Sequence, residues 1–192
     1  MEQHIADKPK TKKVNGVDVG LLFGTIDAIK GTPDIAKFKF RATNEWINGG
    51  NNRTTITDFY GAQQTHDHQE PFVLDADEHQ ALLGEDKGPN PVEYLLTGLI
   101  SCMTSALVYH AAAKGIEIRG VKSRLEGDID LRGFLGLSPD VKVGYENIRV
   151  YFKIDADLSE AQKEELIGLA QKYSPVFNTV SNPTPVSVKL DK

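Results

Sequence analysis

A chain of 192 residues can bury a core of its own and suits one domain, with room for an extension. Its net charge of −5 argues against a surface made to hold nucleic acid. A single cysteine rules out an internal disulfide and fits a reducing compartment, the cytoplasm.

In chain order, the opening MEQHIADKPKTKK is polar and charged, without a secretory signal pattern. Val19–Ile29 reads as a short helix inside a first segment of about 35 residues. KFKFRATNEW alternates apolar and charged residues with the period of a half-buried strand. NGGNN supplies turn residues, and RTTITDFYG reads as the returning arm of a hairpin. THDHQE reads as a polar loop. PFVLDADE reads as a third strand, followed by a loop rich in acids and glycine.

Tyr94 to Ala113 is a run of 20 residues with no formal charge, nominally enough to cross a bilayer. Thr97, Ser101, Thr104, Ser105 and His110 interrupt it, and no positive cluster sets an orientation. The expectation is therefore a helix buried on nearly all sides of a soluble fold, with no membrane partner. Asn90 fits its cap, Pro91 its first turn and Gly115 its far end. IEIRGVKSRLEGDIDLRGF and NIRVYFKID show strand alternation. The glycine- and leucine-rich DLRGFLGLSPDVKVGYENI is either a long loop between them or a lip over an apolar pocket. LSEAQKEELIGLAQKY is a second helix with a Ser159/Gln162 capping box, and TPVSVKL reads as a closing strand. The sum is an α+β fold, a mainly antiparallel sheet packed on one long helix and one shorter one.

Helical spacing puts Cys102 on one face with Leu95, Leu99, Ala106 and Tyr109, a face expected to be buried. Two readings of the thiol stay open. It is an inert apolar filler, or a nucleophile activated by a nearby cation, donor or base. His110 lies about 12 Å along the axis, too far for a dyad within one helix. His66 and His68, with Asp77, Glu78 and His79 downstream, have metal-ligating chemistry. No third ligand stands at a fixed spacing, so neither metal nor cofactor is expected.

GPNPVEYLLTGLISC, from Gly88 to Cys102, resembles the entry to the cysteine-bearing helix of the OsmC/Ohr family of thiol-dependent hydroperoxide reductases. The likeness continues through AAAKGIEIRGV and SPVFNTVSNPTPVSV and covers about Phe38 to Leu190. It implies an N-terminal extension over residues 1–35 and an OsmC-like domain over 36–192. It also implies an intertwined homodimer with its sites at the subunit interface. Cys102 would then be the peroxidatic thiol acting on an organic hydroperoxide, in oxidative or osmotic stress defence. An arginine from an early hairpin would activate it, Arg53 with Arg41 as the fallback, and Glu93 would orient that arginine. Glu93 lies nine residues before Cys102, on the opposite side of one straight helix and about 13.5 Å away along it. It would therefore act from the partner subunit or with the first turn unwound, or simply favour the helix's first turn. The family's resolving cysteine is replaced by Ser174, so turnover would need an external thiol. The alternative is a non-catalytic protein of the same fold that binds an apolar small molecule, with Cys102 inert.

Overall fold

The computed structural model describes residues 12–191. A two-stranded hairpin, β1 (Lys13–Val14) and β2 (Val17–Asp18), leads into α1 (Val19–Gly31), where Asp18 accepts the Leu21 N–H as a cap. The hairpin is anchored far away in sequence. Asn15, at its turn, donates to the Ile116 carbonyl and accepts from the Ile118 N–H, both at 2.8 Å.

A four-stranded antiparallel sheet follows, with β5 (Asn51–Gly61) at its centre. KFKFRATNEW forms two strands, β3 (Lys39–Phe40) and β4 (Thr43–Asn48), that pair with opposite ends of β5. β6 (Gln64–Ala76) covers the other edge of β5. It starts earlier than the sequence suggested, so THDHQE lies in a strand and not in a loop. Its polar alternation hides a ladder that is irregular between Asp67 and Phe72. Here His66 stacks on Phe59 and His68 packs tilted against it, and His66 Nε2 lies 3.1 Å from the Gly61 carbonyl.

The long helix is α2 (Pro91–Ala113), capped by Asn90 as its residues foretell, with Gly115 left-handed at φ 70° just beyond. β7 (Gly120–Ile129) and β8 (Tyr145–Asp155) pair antiparallel, with a short helix α3 (Leu131–Phe134) between them. α4 (Glu160–Tyr173) and α5 (Pro175–Ser181) are the last regular elements among the described residues. The expected closing strand does not form. Val186, Val188 and Leu190 extend without regular structure and are 83–89% exposed, because no sheet edge among the described residues pairs with them.

The core lies between the second half of α2, α4 and the β7–β8 sheet. Leu107 and Ala111 meet Ile154, Leu166 and Ala170 there. The buried stripe of α2 runs Leu99, Met103, Leu107, Ala111, a spacing of four that keeps each residue above the last. The rest of α2 is less buried than expected. Leu95 is 40% and Tyr109 53% exposed, so the face that also carries Cys102 is partly open. Among the described residues, no helix packs broadly on the β3–β6 sheet, whose Phe40, Trp46, Phe72 and Val73 face solvent.

Candidate functional site

The segment that delivers the chain into α2 is built around a buried acid. Asp77 accepts the backbone N–H groups of Glu78 (2.8 Å), Lys87 (3.1 Å) and Glu85 (3.2 Å). Burial pushes its carboxyl up, but those donors and the nearby Lys87 charge outweigh it and hold the group below the usual carboxylate range. Two glycines permit the close packing. A Cβ on Gly84 would lie 1.8 Å from the Glu78 carbonyl oxygen, and one on Gly88 would lie 2.2 Å from that of Asp75.

This loop hands over to a capping box. Asn90 Oδ1 accepts from Val92, and Glu93 Oε2 accepts the Asn90 N–H, each at 2.9 Å. Asn90 Nδ2 donates back to Glu78. Glu93 therefore serves the first turn of its own helix. Tyr145 closes on the same turn, its hydroxyl donating to the Val92 carbonyl at 3.0 Å. Burial first, and then the Glu93 charge, raise the Tyr145 hydroxyl above its ordinary pKa.

Arg53 stands on β5 directly opposite Asp75 on β6. Its Nε donates to Oδ1 at 2.6 Å and its Nη2 to Oδ2 at 3.0 Å. The guanidinium's hydrogen bonds lower the Asp75 carboxyl below its usual range. Arg41 pairs with Asp58 at 2.7 Å on the same sheet.

Cys102 is half-buried on α2. Among the described residues no hydrogen bond or ion pair joins it to Arg53, Arg41 or Glu93. His110 stacks on Tyr173 at 4.6 Å between ring centres, as an inter-helix contact between α2 and α4. Ser174 is fully buried, and its hydroxyl accepts the Phe177 N–H to start α5. A cleft of about 390 Å³ opens between α2, β8 and α5, with Leu95, Leu99, Val150, Phe177 and Val180 among its walls and Lys142 at its edge.

The organising acids, Asp75 and Asp77, escaped the sequence reading as site candidates with a partner. Isolated acids in DADE carry no spacing signature, and their roles come from backbone and cross-strand partners.

Residues 84–189 match a family model described as OsmC-like protein. An OsmC-like protein of Mycoplasma pneumoniae superposes with a TM-score of 0.55 at 23% identity, covering 74% of this chain and 87% of that one. An organic hydroperoxide resistance protein OsmC of Legionella pneumophila gives a TM-score of 0.52 at 20% identity, covering 73% and 89%. An OsmC-like protein of unknown function from Vibrio cholerae gives 0.52 at 13%, covering 73% and 92%. At these identities the likeness is one of fold. No curated protein matches the chain.

Proposed function

The chain belongs to the OsmC-like family, and from that premise we propose that it reduces organic hydroperoxides in the cytoplasm through Cys102. The observation that carries this reading is the placement of the chain's single thiol. It sits half-exposed in the middle of α2, on a face that the protomer leaves partly open. In the proposed step the Cys102 thiolate attacks the outer oxygen of R–O–OH. A sulfur–oxygen bond forms, the O–O bond breaks, and the alkoxide leaves as the alcohol after taking a proton, with sulfenic acid left on Cys102. Arg53 is the cation that favours the thiolate. Glu93, whose first duty is the cap, is the acid that the resemblance places near that arginine from the partner subunit. With Ser174 where a second sulfur would stand, an external thiol reduces the sulfenic acid to a mixed disulfide with loss of water. A second thiol then releases Cys102.

A homodimer is part of the proposal. The uncovered apolar side chains of the β3–β6 sheet, the open face of α2 and the unpaired tail at Val186–Leu190 all support an interface with a second copy.

The cleft favours a second reading, in which an apolar small molecule lodges against Leu95, Leu99 and Phe177 and Cys102 does no chemistry. One experiment separates them. The protein, confirmed as a folded dimer by native mass spectrometry, is treated with near-stoichiometric cumene hydroperoxide and its intact mass is measured. The peroxidase reading expects one added oxygen, absent in Cys102→Ser and removed by a small dithiol. An unchanged mass in the folded dimer overturns it and leaves the binding reading.

A further inference from the structure

Arg53 is held by a residue to which the family pattern gives no part. Asp75 faces it across the β5–β6 ladder and takes both ends of the guanidinium fork, at 2.6 and 3.0 Å. Such two-point contacts fix the plane of an arginine as well as its position. Asp75 is itself tied to the helix that carries Cys102. Its carbonyl oxygen accepts the Tyr94 hydroxyl at 2.7 Å, and Gly88 packs over that carbonyl so closely that a Cβ would lie 2.2 Å away. Asp77, two residues on, is pinned by three backbone donors. Glu93 meanwhile accepts from Asn90 in the helix cap.

The Arg53–Asp75 pair is about half exposed, so it contributes little to stability. Its value lies in orientation. We infer that Asp75 is the positioning residue for Arg53, holding the guanidinium in a fixed plane relative to α2. This rests on the reading of Arg53 as the cation that serves the Cys102 thiol. Asp75 does not touch the peroxide and acts only through Arg53.

The test is the second-order rate of Cys102 oxidation by cumene hydroperoxide, followed by intact mass in the full-length protein. Asp75→Asn, Arg53→Ala and the double variant are compared with wild type. Asp128→Asn, which disturbs an Arg–Asp pair on the β7–β8 sheet, is the control for loss of a surface carboxylate. Asp75→Asn and Arg53→Ala are each expected to slow oxidation about tenfold, with Asp128→Asn at the wild-type rate. The double variant is expected to be no slower than Arg53→Ala, because a residue acting through Arg53 has nothing left to act on. Asp75→Glu should keep more of the rate than Asp75→Asn.

An Asp75→Asn rate equal to wild type overturns the inference alone, as does a double variant slowed by the product of the two single factors. Asp58→Asn, which unpairs Arg41, is measured alongside, and a slow Asp58→Asn beside an unaffected Asp75→Asn overturns the inference in favour of Arg41. Absence of oxygen uptake by wild-type Cys102 instead sinks the peroxidase reading, and the positioning role falls with it.

Discussion

Ser174 Oγ accepts the Phe177 N–H at 3.1 Å while the Ser174 N–H donates to the Ala170 carbonyl at 3.0 Å. One buried side chain thus starts α5 at the point where its backbone ends α4. The position that the family pattern gives to a second sulfur is here held by a helix cap, a task for which a hydroxyl suits better than a thiol. Ser174→Ala should lower unfolding stability by about 1 kcal/mol, since the partly buried Phe177 amide loses its acceptor. Urea unfolding at fixed protein concentration measures it.

Stability should fall as the solution is acidified below about pH 4. Asp77 titrates below the usual carboxylate range, where backbone donors and Lys87 outweigh its burial. Asp130, gripped by Arg132, is lowered to about 2. For groups with depressed folded-state values the stabilisation is fully present above the unfolded value and is lost as pH drops through the folded one. Asp77→Asn should flatten this acid limb, and amide hydrogen exchange at Glu85 and Lys87 should speed up.

Two glycines should respond in opposite directions to alanine. Gly84→Ala drives a methyl into the Glu78 carbonyl, backbone that cannot step aside, and should lower the melting temperature. Gly168 lies exposed within α4 with nothing within 4 Å of a new Cβ. Gly168→Ala should stabilise by about 0.5–1 kcal/mol, through reduced freedom of the unfolded chain. Thermal unfolding monitored by circular dichroism distinguishes the two.

Asn15→Ala removes both amide bonds to the 116–118 backbone and leaves alanine at φ 53°. About 2 kcal/mol of local stability should be lost. The β1–β2 hairpin and α1 should then be cleaved faster in limited proteolysis, while the core around Leu107 stays protected.

The parts of the fold that were legible in the sequence are those with chemical punctuation. Asn90, Pro91 and Gly115 bound α2, and Ser159 with Gln162 starts α4, because caps need particular side chains at particular offsets. β6 was read too short, since HDHQEP lacks apolar alternation and its ladder is irregular there. α5, with seven residues, is too brief to show a helical stripe. The closing segment has strand alternation in Val186, Val188 and Leu190, yet a strand also needs a neighbouring edge, which a sequence does not display. In the candidate site, Cys102 stood out as the single thiol in a long uncharged helix, and Glu93 and Arg53 only through the family resemblance. Asp75 did not, because its importance is a cross-strand pairing with Arg53 over 22 residues of chain.

The Asn15 clamp also imposes an order of events on a chain made from its N-terminus. The amide at position 15 has no partner until the backbone around Ile116 and Ile118 exists, 101 and 103 residues later. At translation speeds of about 5–20 residues per second, that is a wait of roughly 5–20 s. During that interval the β1–β2 hairpin lacks its anchor, although α1 can already meet β2, the Pro33–Ala36 turn and α2. The hairpin's mooring thus forms long after its own residues emerge, while the contacts of α2 with α4 and α5 must wait longer still.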